Sequence, residues 1–290
     1  MRKILIIKTG YSETLDPEIN GRSVSLGDIL RTTVLLNLYK NDHVTWVVDE
    51  RGLPIILSTP FIRRPLVYDP STILQLQAER FDTVINLEKV PGICVWAESL
   101  NATRKYGFRY DPYEMNIDGY DFSQLALSTI AEKDVFGEID NGHWSELLFK
   151  LVGRTWSGEE YCFKRPDYGE SFGIGFNYRV GSKWPEKAWP RENWNLLRDL
   201  IKESGPPNVI SWQPKEVLND LNKYFDWINS CRIIVTNDSL GLHLAIALQK
   251  KIVALFGPSN PKEVHLYGRG VALFKPKPQT VHEAIKTLIE

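Results

Sequence analysis

Short apolar runs alternate with longer amphipathic segments along this chain, a pattern typical of repeated strand-helix-strand units in a parallel sheet. Three β-branched runs in the first half predict buried strands: residues 4–7, 44–48 and 83–87. Between the first two, residues 26–38 predict a helix because Leu30, Val34 and Leu38 recur at i, i+4 and i+8. Residues 143–152 predict one more helix. The first half therefore predicts an α/β domain.

The start of the first helix carries a capping pattern. Ser25 precedes the helical periodicity, and Asp28 follows it by three residues, as the acid of a capping box does. On spacing alone, Asp28 is predicted to stabilise the beginning of this helix.

A segment with three glycines and a proline, residues 153–169, interrupts the alternation and predicts a connector. Beyond it the alternation restarts. The predicted strands are residues 171–176, 208–212, 232–236 and 252–256, and the predicted helices are residues 191–202, 215–229, 240–248 and 281–289. We therefore expect an N-terminal Rossmann-like domain over residues 1–164, a second over 165–276 and a C-terminal helix over 277–290.

Composition narrows the class of protein. With 43% hydrophobic and 24% charged residues in 290, the chain is expected to be globular. Its 35 basic and 36 acidic residues give a net charge of -1, which disfavours nucleic acid as a partner. Cys94, Cys162 and Cys231 form no C-x-x-C pair, so we expect neither a disulfide framework nor a zinc site, and a reducing compartment fits best. No apolar run has the length of a membrane span.

The most informative segment is the polar turn Asn237-Asp238-Ser239 between a predicted buried strand and a predicted helix. Backbone N–H groups and the positive end of the helix dipole make such a turn a site for phosphate. The alternative is simple capping by Asp238 or Ser239, with Gly241 needed for close packing and His243 as an ordinary helix residue. The spacing leaves both interpretations open.

A second loop follows the strand predicted for residues 171–176 and carries Arg179 and Lys183. It is not a dinucleotide fingerprint, because the third glycine position of G-x-G-x-x-G falls on Tyr178. Nor is it a P-loop, since Ser182 precedes Lys183. The loop is either a phosphate contact or a solvated basic turn.

Together these segments resemble glycosyltransferase family 9, the heptosyltransferases. The resemblance rests on four stretches: Asp238-Ser239-Leu240-Gly241-Leu242-His243; Gly257-Pro258-Ser259 before Pro261; Lys183-Trp184-Pro185 with Trp189-Pro190, similar to the family's Lys-x-Trp-Pro loop; and the opening strand to Lys8 with Gly27-Asp28. It extends over nearly the whole chain, and the turn at Asp238 is its most specific part.

The resemblance implies a glycosyltransferase-B fold, in which two Rossmann-like domains face each other across a cleft. It implies inverting transfer from a nucleotide sugar, typically ADP-heptose, held by the second domain, to a glycan acceptor held by the first, as in lipopolysaccharide biosynthesis. Asp28 occupies the position of the proposed base. The resemblance implies that Lys183, Ser182, Asp238, Ser239, Gly241 and His243 contact the donor. It places Lys8, Arg31 and Arg104 on the acceptor side. A cytoplasmic location is expected, with peripheral attachment to the inner membrane left open.

No Asp-x-Asp sequence occurs in the chain. Metal-dependent nucleotide-sugar transferases use such paired carboxylates to hold Mn²⁺ or Mg²⁺ against the diphosphate. We therefore expect a metal-independent enzyme without a cofactor, in which Lys183 and the helix N-terminus near Ser239 stabilise the leaving group.

The chain also departs from the family. Residues 11–25 form an extra polar segment between the first strand and the first helix, and the stretch from Trp212 to Arg232 is shortened. These departures motivate a second hypothesis: a nucleotide-sugar-binding or regulatory protein that keeps the fold but has lost transfer. An NAD-dependent oxidoreductase is disfavoured because the glycine fingerprint is missing. The acceptor stays open between a core sugar, another surface glycan, a small natural product and a protein side chain.

Overall fold

A computed structural model describes residues 1–12, 24–120, 123, 142–166, 169–204, 209–215 and 220–289. The chain divides into two compact units, Met1–Phe163 and Lys164–Glu290. This division falls within the Gly- and Pro-containing segment that the sequence marks as a connector.

The first unit is built on a twisted sheet with the strand order β3-β2-β1-β4-β5-β6, parallel except for the β5-β6 pair. Its strands are β1 Lys3–Ile7, β2 His43–Val48, β3 Ile62–Val67, β4 Arg80–Asn86, β5 Asn101–Asp111 and β6 Asn116–Gly119. Its helices are α1 Leu26–Thr32, α2 Leu53–Leu57, α3 Pro70–Gln77, α4 Pro91–Ser99 and α5 Trp144–Leu151. The strand order reverses direction between β1 and β4, and ligands of such sheets bind at the carboxyl edge of that point.

The predicted helix over residues 26–38 is α-helical only to Thr32 and continues as a 3₁₀ helix, Thr33–Tyr39. The hydroxyls of Thr32 and Thr33 donate hydrogen bonds to the backbone oxygens of Ile29 and Leu30, at 2.8 and 2.6 Å. Such bonds to the preceding turn compete with regular α-helical pairing, so the helix tightens at these two residues.

The second unit is an all-parallel sheet with the order β11-β10-β9-β7-β8. Its strands are β7 Phe172–Asn177, β8 Ile210–Trp212, β9 Cys231–Asn237, β10 Lys251–Phe256 and β11 Gly270–Phe274. Its helices are α6 Arg191–Glu203, α7 Leu221–Asn229, α8 Leu240–Ala247 and α9 Pro278–Ile289. The prediction of two doubly wound, Rossmann-like α/β units is confirmed, and the reversal in this unit lies between β7 and β9.

The strands and helices of the second unit bury a continuous apolar core. Phe176 on β7 packs against Trp194 on α6, with ring centroids 5.3 Å apart, and both side chains are inaccessible to solvent. Helix α8 is apolar except for His243, and it is buried from Gly241 to Ile246. Because both flanking elements are fixed in the core, the turn between β9 and α8 is held rigidly at the sheet edge. Among the described helices, none is long and apolar enough to cross a bilayer.

Candidate functional site

The turn between β9 and α8 lies at the carboxyl edge of the second sheet, beside the end of β7. Asn237 ties this turn to the loop after β7. Its side-chain oxygen accepts a hydrogen bond from the Trp189 backbone N–H at 2.9 Å, and its amide nitrogen donates to the Tyr178 backbone oxygen at 3.0 Å. Ser239 occupies the N-cap position of α8 without a side-chain capping bond. The two loops therefore form one connected edge.

Asn177, at the end of β7, connects the same turn to the core. Its amide nitrogen donates to the Thr236 hydroxyl at 2.8 Å and the Ser239 hydroxyl at 3.2 Å, and its oxygen accepts from the Tyr224 hydroxyl at 2.6 Å. Gly241 lies directly against this network, because a Cβ there would stand 2.1 Å from the Asn177 amide nitrogen. The sequence predicted that Gly241 could be needed for close packing, and its contact with Asn177 supports this role.

We expect Gly241→Ala to destabilise the protein by about 1 to 3 kcal/mol, because the added methyl group displaces Asn177 and the hydroxyl of Tyr224. Urea unfolding measures the loss. Gly181→Ala is the matched control, since a Cβ at Gly181 meets no atom within 4 Å. Equal midpoints for the two variants would contradict the packing role.

Asp238 holds the strongest polar contacts of the turn. Its Oδ2 accepts from the Lys187 ammonium at 2.7 Å and from the Ser259 hydroxyl at 2.7 Å. Burial raises the pKa of this carboxyl, but the Lys187 charge and these hydrogen bonds outweigh burial and hold the pKa below its usual range, with a smaller contribution from His243. Asp238 is therefore ionised at neutral pH and paired with a cation.

A cavity of about 430 Å³ opens beside this ion pair. Aromatic, proline and other apolar groups form most of its wall, with lysines, a glutamate and two asparagines among them. The residues that line it are Glu186, Lys187, Ala188, Trp189, Pro190, Asn193, Asn237, Leu255, Phe256, Gly257, Pro258, Lys275 and Pro276. A cavity of this size and chemistry suits a ligand that joins a largely apolar surface to an anionic group.

The donor residues predicted from the sequence fall into two groups. Asp238, Ser239 and Gly241 lie together at the turn, and His243 is buried within α8 at 5% exposure. Ser182 is exposed, and the Lys183 ammonium lies 5.7 Å from the centroid of the Trp184 ring. The lysine that pairs with Asp238 is instead Lys187.

Lys187 was not among the predicted donor residues, although the sequence carries a signal for it. The Lys-x-Trp-Pro pattern is complete in Lys187-Ala188-Trp189-Pro190, whereas Lys183-Trp184-Pro185 lacks the intervening residue. Lys187-Ala188-Trp189-Pro190 is therefore the closer match to the family pattern, and its lysine is the one that pairs with Asp238. Asn177 and Ser259, which hold Ser239 and Asp238, were also missed as site residues.

A second cluster, of four buried or nearly buried charges, lies at the carboxyl edge of the first sheet. Lys8 follows β1, and Asp28 and Arg31 stand one turn apart on α1. Both cations form ion pairs with Asp28, and the Lys8 ammonium also lies 3.3 Å from a Glu88 carboxylate oxygen. Lys8 and Glu88 are inaccessible to solvent, and Asp28 is 2% exposed. Among the described residues of this cluster, the two acids balance the two bases.

The neighbouring charges shift the pKa values of Asp28 and Lys8. Burial raises the pKa of Asp28, but the charges of Arg31 and Lys8 outweigh burial and lower it to about 2. Burial lowers the pKa of Lys8, but Asp28 and Glu88 reverse this effect and raise it. Asp28 is therefore a carboxylate, and Lys8 an ammonium, throughout the neutral range.

The predicted capping box is wrong. Ser25 stands at the N-cap of α1, but its side chain makes no capping hydrogen bond, and its backbone N–H donates to the Gly10 oxygen at 2.8 Å. The Asp28 carboxylate is drawn to Lys8 and Arg31, because buried cations attract it more strongly than a neutral N–H group does.

Glu88 organises the loop after β1 and was not predicted as a site residue. Its oxygens accept from the Gly10 N–H at 2.7 Å, from the Ser12 N–H at 2.8 Å and from the Ser12 hydroxyl at 2.6 Å. The available signal is its position directly after the predicted strand over residues 83–87, at a sheet edge. Glu88 thereby anchors the beginning of the extra segment 11–25, of which residues 13–23 lie outside the described part of the chain.

Of the predicted acceptor-side residues, the structure joins two to Asp28. Lys8 and Arg31 both contact its carboxylate, and the Arg31 guanidinium lies 3.8 Å from the centroid of the Trp144 ring on α5. Arg104 is exposed on β5, which β4 separates from β1. Within the described residues, no group of three or more His, Cys, Asp or Glu side chains is arranged to hold a metal ion.

Comparison with known proteins links this geometry to a family. The family model described as glycosyltransferase family 9 (heptosyltransferase) matches residues 218–283, the segment that contains the Asp238 turn. The chain is related to glycosyltransferase family 9. The resemblance inferred from the motifs is confirmed.

Individual relatives agree with this relationship. Lipooligosaccharide heptosyltransferase 2 of Haemophilus ducreyi is 30% identical over 102 residues, which are 27% of this chain and 29% of that protein. Across the curated heptosyltransferases that it matches, the aligned part spans 29% to 39% of their length.

Solved structures resemble the chain over its whole length. The E. coli ADP-heptose lipopolysaccharide heptosyltransferase II has a TM-score of 0.68 at 15% identity, covering 100% of this chain and 98% of that one. The E. coli heptosyltransferase WaaC with ADP-2-deoxy-2-fluoro heptose has a TM-score of 0.61 at 18% identity, covering 99% and 98%. The predicted glycosyltransferase-B fold class is confirmed.

Proposed function

We propose that this protein is an inverting, metal-independent glycosyltransferase that moves a heptose from ADP-heptose to a hydroxyl group of a glycan. One observation carries the proposal: the segment related to family 9 contains the turn whose Asp238 pairs with Lys187 at the carboxyl edge of the sheet. The likeness to a heptosyltransferase solved with an ADP-heptose analogue supports this donor. We propose a cytoplasmic location and leave peripheral attachment to the inner membrane open.

In this proposal the donor diphosphate binds at the β9-α8 turn. Lys187 supplies the main positive charge, and the first N–H groups of α8, beside Ser239 and Gly241, point toward the phosphates. Lys183 and Ser182 contribute from the loop after β7, and His243 supports the turn from within α8. The adjacent cavity takes an apolar part of the donor.

Transfer breaks the bond between the anomeric carbon and the diphosphate, so negative charge grows on the leaving ADP. Once the diphosphate is bound, the Lys187 ammonium and the oriented N–H groups are already in contact with it and stabilise this charge without rearranging during the reaction. Lys187 is suited to this role because the contact of the Trp189 backbone with Asn237 fixes the loop that carries it.

We assign the base to Asp28. The acceptor hydroxyl becomes strongly acidic as its oxygen bonds to the anomeric carbon, so a carboxylate with a pKa of about 2 can still take its proton. Lys8 and Arg31 hold this carboxylate in place and ionised. Arg31, whose side chain is 11% exposed, is also the residue of this cluster best placed to meet an acceptor, with Arg104 as a more distant contact.

Transfer should continue undiminished in excess EDTA, because Lys187 and backbone N–H groups neutralise the leaving group in place of a metal ion. A product assay with and without chelator measures this. Loss of activity in EDTA with rescue by Mn²⁺ or Mg²⁺ would overturn the metal-free mechanism.

The double ion pairing of Asp28 also favours a second candidate function, a nucleotide-sugar-binding protein without turnover. Here Asp28 would be a structural counter-ion of Lys8 and Arg31. Titration of ADP and ADP-heptose together with assays of transfer and slow donor hydrolysis separates the two candidates. Tight binding without turnover on any acceptor would favour the binding protein.

A further inference from the structure

The Lys187 ammonium has an anionic partner before any ligand is bound. It lies 2.7 Å from Asp238 Oδ2, the same oxygen that accepts from Ser259. The two charged side chains are 22% and 11% exposed, so water screens their attraction only in part. The lysine proposed to bind the donor diphosphate is thus already engaged by a carboxylate of the same site.

Binding of ADP requires this ion pair to change. A diphosphate at Lys187 would compete with Asp238 for the ammonium protons, and its negative charges would repel the carboxylate. The loop backbone is fixed by the bond between the Trp189 N–H and Asn237, the residue next to Asp238. The lysine can therefore exchange partners by rotating its side chain, without moving the loop.

We propose that Asp238 is an internal competitor for Lys187, which weakens ADP binding and speeds the release of ADP after transfer. The inference rests on the proposed function, because it takes the diphosphate to bind at Lys187. Asp238 is then a positioning residue that acts through the lysine.

The test compares ADP binding by the full-length wild type and Asp238→Asn, using calorimetry for the dissociation constant and stopped flow for the dissociation rate. Asparagine keeps the size of the side chain and an oxygen that can accept from Ser259, but removes the charge. The variant should bind ADP on the order of tenfold more tightly, mainly through slower dissociation.

A matched control removes one negative charge elsewhere in the same unit. Asp199 forms an exposed ion pair with Arg198 on α6 at 2.8 Å. Because exposed pairs contribute little, Asp199→Asn should leave the ADP dissociation constant within about twofold of the wild type. A similar gain in both variants would attribute the effect to net charge and overturn the proposal.

A double-mutant cycle isolates the competition for the lysine. In a Lys187→Met background, Asp238→Asn should improve ADP binding much less than in the wild type, because no ammonium is left to compete for. An equal gain in both backgrounds would indicate simple repulsion and overturn the proposal.

Unchanged or weaker ADP binding by Asp238→Asn, in a protein whose wild type binds ADP, would overturn this inference alone. Failure of the wild type to bind ADP would instead overturn the proposed donor site, and the inference with it. If the asparagine variant fails to fold, Asp238→Ser, which also lacks the charge, serves for the same comparison with the same expected gain.

Discussion

Asp28→Asn will cut transfer by at least about a hundredfold while ADP binding stays close to that of the wild type. Asparagine is nearly isosteric with aspartate, but it cannot take the proton of the acceptor hydroxyl. Because ADP is proposed to bind in the second unit, its dissociation constant should not depend on Asp28. Steady-state transfer and ADP titration on the same preparation measure both effects.

The ion pairs of Asp28 require a stability control. Without this carboxylate, the buried Lys8 ammonium loses one of its two acidic neighbours, and we expect a loss of about 1 to 3 kcal/mol in the free energy of unfolding. The double variant Lys8→Met with Asp28→Asn removes one charge of each sign, so it should recover stability but not transfer. Near-normal turnover with a lowered melting temperature would show that Asp28 is only a structural counter-ion.

The pH dependence of stability gives an independent readout. Because the folded pKa of Asp28, about 2, lies below its value in the unfolded chain, its ion pairs stabilise the fold above about pH 4 and lose this effect as the pH falls toward 2. Unfolding midpoints of the wild type should therefore fall more steeply over this range than those of Asp28→Asn. Parallel curves would contradict the proposed ion pairing.

Lys187→Ala is expected to raise the ADP dissociation constant by about tenfold or more, because a charge-assisted contact to a diphosphate contributes about 1.5 to 3 kcal/mol. The loss also leaves Asp238 without its cation beside the phosphates. Lys183→Ala, four residues earlier in the same loop, should weaken ADP binding less. The assignment of the diphosphate contact to Lys187 would be contradicted if Lys187→Ala left the ADP affinity unchanged. It would also be contradicted if Lys183→Ala weakened ADP binding more, since Lys183 would then be the main contact.

The central strands were predictable and several edge strands were not, for a physical reason. Strands β1 and β9 are covered on both faces and therefore read as continuous apolar runs. Strand β3 contains Arg63, Arg64 and Pro65. It lies at a sheet edge, where polar residues and proline are tolerated, so its sequence shows no continuous apolar run. Strand β11 is also an edge strand, but it is apolar after Gly270, so the sequence did carry a signal for it.

In the candidate site, too, one part was predictable from the sequence and another was not. The turn at Asp238 is local, so its strand, polar residues and helix follow one another in the sequence and could be recognised. Its ion pair joins residues 51 positions apart, and the bond between Gly10 and Glu88 joins residues 78 apart. Spacing along the chain does not report such contacts. Spacing alone therefore predicts a cap at Asp28, whereas its partners are Lys8, which directly follows β1, and Arg31 on its own helix.

A panel of nucleotide sugars incubated with the wild-type protein tests the proposed transfer most directly, with mass spectrometry to detect which donor is hydrolysed or transferred. ADP-heptose should be consumed with release of ADP, in the presence of EDTA, and Asp28→Asn should consume it at least about a hundredfold more slowly. Consumption of no donor by a folded protein that binds ADP would contradict a glycosyltransferase and leave a nucleotide-sugar-binding protein.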